Sequence, residues 1–331
     1  GIIMVIIQDI INFFEEVAPS SLQESYDNAG LIVGEYDTEV KGVLVCLDSI
    51  EATIDEAVKV GANLIVAHHP IVFKGLKRFN GSNYVERTVI KAIKNEIAIY
   101  SIHTNIDSVI NGVSAKIAEK LGVENLSVLS PKVTNLLKIE TYVPVNKSSE
   151  VLEALFEAGA GSVGNYSNCS FVSEGRGSFK ANEGANPHVG DIGKVHQERE
   201  TKLEVVFPSS LKTKVVMALN ESHPYEEVAY NIFKLDNTSS KDGLGVVGDL
   251  LQQMDVNEFL KVIKTKMKAG VVRYTAPHKS SIKRVAICGG SGSFLLSEAK
   301  KAGADLFLTS DFKYHEFFDS ENELVIADIG H

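Results

Sequence analysis

The chain has 331 residues, which is more than one hydrophobic core usually needs and predicts more than one domain. With 44% hydrophobic and 23% charged residues its composition is that of a globular protein, and no apolar stretch approaches the roughly 20 residues of a membrane helix. The formal net charge of -10 argues against general nucleic-acid binding, because neutralising phosphates requires clustered Lys and Arg side chains.

The N-terminal segment and the cysteines predict a cytoplasmic protein. Residues 1–14 (GIIMVIIQDIINFF) are apolar, but Gln8 and Asp9 interrupt them and no basic segment precedes them. They therefore predict an amphipathic first helix and not a signal peptide. The three cysteines form no CxxC pair, and two of them lie in apolar strand-like runs, which is typical of buried thiols in a reducing compartment.

An internal repeat organises most of the chain. Residues 43–70 (VLVCLDSIEATIDEAVKVGANLIVAHHP) align without a gap with residues 285–312 (VAICGGSGSFLLSEAKKAGADLFLTSDF). Each copy has the pattern of a strand, a helix, a glycine and a near-continuous apolar strand, which is typical of a parallel strand covered on both faces. After a further helix, residues 95–104 (NEIAIYSIHT) align with residues 322–331 (NELVIADIGH). The sequence therefore predicts an α/β domain made of two pseudo-symmetric βαβαβ-like halves.

Residues 131–250 interrupt the two halves and predict an inserted α+β domain, which leaves residues 1–130 and 251–331 as one discontinuous domain. The patterns LLKIETYVP, SSEVLEALFEAG and SNCSFVSE indicate strand, helix and strand, and TKLEVVFP, SSLKTKVVMALNESHP and EEVAYNIFKL indicate the same order again. This βαββαβ order predicts a ferredoxin-like layer. The polar, glycine-rich residues 174–193 predict a mobile loop. Residues 223–227 (HPYEE) predict a turn before a strand, with a ligand role as the alternative.

Polar side chains gather at the carboxyl ends of the predicted strands, where ligands bind in open α/β sheets. These side chains are His68, His69, His103, Asp107, Ser310, Asp311, Tyr314, His315, Glu316, Asp328 and His331. If the halves pair about a pseudo-twofold axis, their loops converge on one crevice. Histidine and carboxylate without cysteine are typical of a divalent transition-metal site.

The dipeptide His68-His69 stands at a predicted strand end, directly before Pro70. Because adjacent residues on a strand point to opposite faces, both imidazoles reach a common centre only where the strand ends. Two metal ions side by side would need such a splayed pair. A carboxylate such as Asp107 could bridge them, and a bridging water would ionise near neutral pH to give a hydroxide nucleophile. The alternative is that both histidines are hydrogen-bonded to the backbone.

Several motifs occur in a fixed order along nearly the whole chain: SYDNAGLIVG, VLVCLDSI, IVAHHPIVFKG, IHTNIDSVINGV, GGSGSF, GADLFLTSDFKYHE and ADIGH. In order and spacing they resemble those of the GTP cyclohydrolase I type 2 homologues, also called Nif-three-like proteins. The resemblance implies a dinuclear metal site with His68, His69, Asp107 and His331 as ligands, together with a glutamate four residues beyond the sequence. It also implies a PII- or CutA-like insert and a homohexameric ring, and it places the YDNAG loop (26–30) near the crevice.

The resemblance and the ligand types predict a metal-dependent hydrolase that acts on a nucleotide or a related small molecule through a metal-bound hydroxide. The choice of a purine nucleotide such as GTP rests on the family name. His103 and His315 are the predicted proton shuttles. Two divalent ions are expected in each subunit. Zinc is the first expectation for both, with iron or manganese as alternatives, because histidine and carboxylate ligands discriminate weakly among these metals.

Other interpretations are open at this point. The chain could be a non-catalytic metal-binding regulatory or scaffold protein whose insert senses a ligand or partner. GGSGS (289–293) could hold a phosphate at a helix start or form a tight turn only. His188 and His196 are predicted to be solvated, with metal binding as the alternative.

Overall fold

The structure is a computed structural model that describes residues 4–184, 186 and 189–331. His188 lies outside these described residues. The chain divides into two compact units, one formed by Gly1–Lys132 with Ser239–His331 and the other by Val133–Thr238. Both contain helices and sheets, so the predicted mixed α/β class is confirmed. Among the described helices, none combines the length and the apolar character that crossing a membrane requires.

Helices and strands alternate along much of the described chain. The helices are α1 (Ile7–Val17), α2 (Glu51–Val60), α3 (Tyr84–Lys94), α4 (Thr104–Asp107), α5 (Val113–Leu121), α6 (Ser148–Glu157), α7 (Lys212–Ser222), α8 (Val256–Lys266) and α9 (Leu296–Lys301). The strands are β1 (Gly30–Val33), β2 (Val43–Asp48), β3 (Leu64–His69), β4 (Ala98–Ser101), β5 (Val123–Val133), β6 (Leu136–Pro144), β7 (Phe171–Lys180), β8 (Val195–Pro208), β9 (Tyr230–Lys234), β10 (Thr238–Asp255), β11 (Arg273–Tyr274), β12 (Ser281–Ser291), β13 (Leu306–Ser310) and β14 (Val325–Asp328).

Two sheets form the first unit. The four-stranded sheet has the order β1-β4-β3-β2, in which β4, β3 and β2 are parallel and β1 is antiparallel to β4. The six-stranded sheet has the order β11-β14-β13-β12-β10-β5, in which β14, β13 and β12 are parallel and β11 is antiparallel to β14. Because parallel strands end at the same edge, the residues that follow β3 and β4 lie side by side, as do those that follow β13 and β14.

Strand β3 is buried on both faces. Ile65 belongs to the core cluster that contains Ile54 of α2, and Val66 belongs to the one that contains Ile7 of α1. All four side chains are at most 4% exposed, and burying each contributes about 1.5–3 kcal/mol. Packing on both sides holds the end of β3 in place.

The second unit is an antiparallel sheet with two helices on one face. Its strand order is β7-β8-β6-β9, with α6 between β6 and β7 and α7 between β8 and β9. The core lies between this sheet and its helices, and it includes Ile139, Val143, Val151, Leu155, Leu203, Val205, Phe207, Val215 and Leu219. Among the described residues of this unit, no helix covers the other face of the sheet.

The glycine-rich residues 174–193 are not a loop throughout, as the sequence predicted. Residues 174–180 belong to β7 and pair with β8, so the loop prediction is wrong for them. Gly175 and Gly177 lower the intrinsic preference of this segment for a strand. The hydrogen bonds between β7 and β8 need only backbone groups, so this pairing overrides the low strand preference of the glycines.

Candidate metal centre

Three histidines converge at the carboxyl ends of β3 and β4. His68 and His69 end β3, and His103 lies two residues after the end of β4. One nitrogen atom from each imidazole lies within 4.8 Å of the other two, and the ring centroids are 5.0 to 5.4 Å apart. All three residues are half-buried, so the cluster is open to a small ligand or an ion.

His331 reaches the same cluster from the other sheet of the first unit. Its Nε2 atom lies 3.1 Å from His69 Nε2, and the two ring centroids are 5.1 Å apart. The structure therefore brings together side chains that are 262 positions apart in the sequence.

Each of the four imidazoles is held through its Nδ1 atom. The Nδ1 partners are the carbonyl oxygen of Ile102 for His68 (3.0 Å), Asp48 Oδ1 for His69 (2.8 Å), Asp27 Oδ1 for His103 (2.8 Å) and Asp311 Oδ2 for His331 (2.7 Å). Because a carbonyl or carboxylate oxygen can only accept, each Nδ1 carries the proton and donates. Every Nε2 atom then keeps its lone pair. Histidines that bind metal ions are commonly oriented in this way by carbonyls and carboxylates.

The contact between His69 and His331 points to a cation. With both protons on Nδ1, two Nε2 lone pairs face each other at 3.1 Å, which is repulsive. A zinc ion that binds two imidazoles at about 2.0–2.1 Å with tetrahedral angles places their nitrogen atoms about 3.3 Å apart. An ion bound by both rings would fit this separation and would remove the repulsion.

Burial keeps His68 neutral. Desolvation, followed by the neighbouring imidazoles of His103 and His69, lowers the pKa of His68 to about 4. At neutral pH the ring is therefore uncharged, with its single proton on Nδ1, and this is the form that binds metal ions.

Asp107 adds a carboxylate to this group of imidazoles. It is the last residue of α4, and its Oδ2 atom lies 3.8 Å from His68 Nε2. Burial, followed by the negative charge of Asp27, raises the pKa of Asp107 to about 7. Among the described residues no lysine or arginine forms an ion pair with it. A bound cation would compensate the cost of burying its ionised form.

Asp27 of the YDNAG loop fixes the orientation of His103. Its side chain is fully buried, and besides His103 it accepts hydrogen bonds from the Thr104 amide (3.0 Å) and the Thr104 hydroxyl. Burial raises the pKa of Asp27, but the hydrogen bonds from His103 and Thr104 outweigh it, and the net shift is downward. An ionised Asp27 therefore holds His103 in one tautomer.

Asp311 and Asp328 shape the other side of the centre. Asp311 has a left-handed φ of 63°, which aspartate tolerates better than most residues, and in this conformation it bonds His331. Asp328 is only 1% exposed and accepts hydrogen bonds from Arg273 and from backbone amides of the two loops that follow β13 and β14. Asp328 therefore ties together the loops that carry Asp311 and His331.

Comparison with known proteins identifies the family of the chain. A family model described as Duf34/NIF3 (NGG1p interacting factor 3) matches residues 5–331. The chain belongs to the Duf34/NIF3 family. The resemblance found in the sequence motifs is thus confirmed, and the family and the histidine cluster together indicate metal binding.

Relatives and solved structures match this Duf34/NIF3 chain over nearly its whole length. A Bacillus subtilis (strain 168) protein named GTP cyclohydrolase 1 type 2 homolog is 40% identical over 326 residues, which cover 98% of this chain and 87% of that protein. The structure of a Bacillus cereus protein related to NIF3 has 38% identity and a TM-score of 0.78, with 99% and 89% coverage. A Staphylococcus aureus structure has 31% identity and a TM-score of 0.85, with 100% and 88% coverage.

His315 of this Duf34/NIF3 protein has no contact with the histidine cluster among the described residues. It is exposed, its ring contacts Tyr314 at a centroid distance of 5.1 Å, and it forms no hydrogen bond or ion pair there. Neighbouring Glu316 accepts a hydrogen bond from the Lys313 amide (2.8 Å) and so caps its own short 3-10 helix. The role of His315 as a proton shuttle stays a prediction.

Sequence reasoning missed Asp48, although a signal was present. Asp48 ends β2, and in the parallel pairing of β2 with β3 it lies opposite His69. The rule that selected polar residues at the carboxyl ends of parallel strands selects this one too. The Ile102 carbonyl group that holds His68 left no such signal, because any residue supplies a carbonyl.

The GGSGS loop lies against His331 in this Duf34/NIF3 structure. Gly290 has a φ of 68°, and a Cβ atom built on it would lie 3.6 Å from His331 Cε1. Glycine is favoured at Gly290 because this backbone conformation disfavours other residues. The loop therefore forms a close wall beside the imidazole.

Proposed function

We propose that this Duf34/NIF3 protein binds two divalent metal ions and is a metal-dependent hydrolase that acts on a nucleotide or a related small molecule. One observation carries the proposal: imidazole groups held through Nδ1 present their Nε2 atoms to a common centre beside Asp107. Nitrogen and carboxylate donors of this kind suit zinc, iron or manganese.

The proposed ligands divide into two pairs, which suits two ions. His69 and His331 have their Nε2 atoms 3.1 Å apart, and His68 Nε2 lies 3.8 Å from Asp107 Oδ2. Each pair supplies two donors of a four-coordinate shell, and the glutamate that the resemblance implies would add to them. Catalysis requires that at least one position stays open for water or substrate.

His103 is the proposed proton-transfer residue of this site. Divalent ions in such a site supply Lewis acidity and activate water near neutral pH. The His103 imidazole lies with those of His68 and His69, and the buried Asp27 carboxylate holds its Nδ1–H. The Asp27 carboxylate orients the imidazole ring and leaves His103 Nε2 available to accept and return a proton.

A planar substrate suits the aromatic rim of the proposed site. The ring centroid of Phe73 lies 6.5 Å from that of His103, and Tyr26 lies 6.3 Å from Phe73. Both aromatic side chains are exposed, at 46% and 63%, and such faces stack on nucleobases. The choice of a purine nucleotide rests on the relatives, whose name is GTP cyclohydrolase 1 type 2 homolog.

The alternative function is a non-catalytic metal-binding regulatory or scaffold protein whose Val133–Thr238 unit senses a ligand or partner. A cavity of about 630 Å³ in that unit favours this alternative. The two proposals differ in one measurable property, because only the hydrolase turns over a substrate.

We expect the metal-loaded protein to hydrolyse at least one purine nucleotide in a screen that follows product formation by chromatography. His68→Ala removes a proposed metal ligand and is the control, with turnover expected to fall by at least about 100-fold. If no purine nucleotide is consumed by protein that contains its metal ions, the regulatory alternative is the better account.

Asp311→Asn is expected to weaken metal binding by about tenfold, because a neutral amide orients the His331 ring less strongly than a carboxylate does. Competition with a chromophoric chelator measures the affinity. Asp319→Asn is the matched control and should leave the affinity unchanged, since Asp319 is an exposed carboxylate that bonds no histidine among the described residues. Equal affinities for the two variants would argue against an orienting role for Asp311.

We also propose that the first unit consists of two pseudo-symmetric halves and that the second is ferredoxin-like. The orders β1-β4-β3-β2 and β11-β14-β13-β12 match strand by strand, and each has three parallel strands beside one antiparallel strand. The βαββαβ order of the second unit supports the ferredoxin-like proposal. Four expectations stay predictions: zinc as the metal, the homohexameric ring, the cytoplasmic location, and the domain boundaries at 1–130, 131–250 and 251–331.

A further inference from the structure

The Val133–Thr238 unit contains a cavity of about 630 Å³, which is within the usual range of small-molecule sites. Tyr142, Glu200 and Lys202 line it from β6 and β8. Residues alternate across a strand, and the β8 neighbours Thr201 and Leu203 are buried on the helix side. The cavity therefore lies on the face of the sheet that α6 and α7 leave open.

Two glycines of β7 make room in this cavity. A Cβ atom built on Gly175 would meet no atom of the described residues within 4 Å, so this position opens into the cavity. A Cβ atom on Gly177 would lie 1.8 Å from Glu200 Oε2, so only glycine allows this carboxylate to lie over β7. Glycine within a strand often marks a place where a ligand or another group approaches closely.

Glu200 is a buried acid without a cationic partner. It is 9% exposed, and no lysine, arginine or histidine among the described residues forms an ion pair with it. Lys202, which lines the same cavity, is paired with Glu140 (3.2 Å) and Glu204 (3.4 Å) instead. Tyr225 provides a hydrogen bond, and burial followed by that bond raises the pKa of Tyr225. A neutral hydroxyl leaves the charge of Glu200 uncompensated.

The HPYEE segment (223–227) forms the other wall of the cavity. His223 is 7% exposed, donates from Nε2 to the Tyr142 carbonyl oxygen (2.9 Å) and accepts at Nδ1 from the Tyr225 amide (3.1 Å). These bonds hold the Tyr225 ring beside Phe179, at a centroid distance of 6.3 Å and an interplanar angle of 58°. Tyr142, Phe179 and Tyr225 thus supply aromatic surface around a buried acid, and aromatic faces attract cations.

The residues that line the cavity favour an organic cation over a metal ion. Glu226 and Glu227 are exposed and add negative charge, whereas the basic Arg176 is exposed on β7. Within the described ranges, Glu200 belongs to no group of three converging His, Cys, Asp or Glu side chains that could hold a metal ion. Aromatic walls suit the hydrocarbon part of an amine better than they suit a hydrated ion.

We propose that this cavity binds a small organic cation. The ammonium group of this cation pairs with Glu200. The apolar part of the cation lies against Tyr142, Phe179 and Tyr225, in the space left open by Gly175. The site belongs to the Val133–Thr238 unit and does not depend on the hydrolysis proposed for the first unit.

The test compares three probes of similar shape and different charge by calorimetric titration of the whole protein. Benzylamine is expected to bind saturably in the millimolar range or tighter. Benzyl alcohol and phenylacetate should bind at least about tenfold more weakly, because neither places a positive charge beside Glu200. Equal binding of the three probes, tighter binding of phenylacetate, or no saturable binding of benzylamine would each overturn the proposal.

Variants then locate the site. Glu200→Gln keeps the shape of the side chain, removes its charge and should weaken benzylamine binding at least about tenfold. Gly175→Leu fills the open space without a backbone collision and should also weaken binding, even though Glu200 is intact. The control is Glu198→Gln on the same strand, where Glu198 bonds His196 at 3.0 Å and does not line the cavity. Undiminished binding by folded Glu200→Gln and Gly175→Leu proteins, checked by circular dichroism, refutes the proposed location.

Discussion

Protein with His69→Ala is expected to lose at least about 100-fold in affinity for a divalent metal ion while it keeps its fold. His69 contributes the Nε2 atom that lies 3.1 Å from His331 Nε2, and it also belongs to the cluster with His68 and His103. Removing the His69 imidazole therefore takes one nitrogen donor from the pair with His331 and from the cluster with His68 and His103. Asp107→Ala should have a similar effect, because Asp107 is the carboxylate nearest to His68 Nε2.

Two measurements check this expectation. Elemental analysis of dialysed protein gives the amount of bound metal, and thermal unfolding with and without added metal gives the stabilisation that binding provides. The parent protein should gain stability from the metal and the variant should not. His196→Ala is the matched control, since His196 is also a half-buried imidazole bonded to a carboxylate but belongs to the Val133–Thr238 unit. Retention of the full metal content by His69→Ala would contradict the proposed role of the residue.

Much of the fold and of the candidate site could be predicted because the informative signals are local. The apolar run that forms β3 stops at His68 and His69, and the aligned strand of the second half, β13, ends at Ser310, directly before Asp311. A strand that is buried on both faces needs continuous apolar residues, so its end is visible in the sequence. The rule that polar groups after parallel strands share an edge then adds His103. His331 follows a strand of the other sheet, so its inclusion rested on pairing the two repeated halves about a pseudo-twofold axis.

The missed features depend on geometry that the sequence does not encode locally. The bond from His68 to a backbone carbonyl group requires the positions of two neighbouring strands. Asp311 contacts His331 through a left-handed backbone conformation that its neighbours in sequence do not predict. The strand through Gly175 and Gly177 exists because β8 pairs with it, and long-range pairing of this kind overrides local propensity.

Gly112→Ala is expected to lower the free energy of unfolding by about 3 kcal/mol, the cost of forcing an added group into filled space. A Cβ atom at this position would lie 1.9 Å from the Ile106 carbonyl oxygen and 2.9 Å from the Val109 carbonyl oxygen. The φ of Gly112 is -79°, which alanine adopts readily, so the cost comes from the collision and not from the dihedral angle. Denaturant unfolding of the metal-free protein measures it.

The same substitution should also weaken metal binding, because Ile106 directly precedes Asp107 and its carbonyl group must move to admit the methyl group. Gly270→Ala is the control, since a Cβ atom at Gly270 would meet no atom of the described residues within 4 Å. The free energy of unfolding of this variant should change by no more than about 0.5 kcal/mol. If Gly112→Ala is as stable as this control, the turn before α5 adjusts without strain. If stability falls and metal affinity does not, Asp107 is either held independently of this turn or is not a metal ligand.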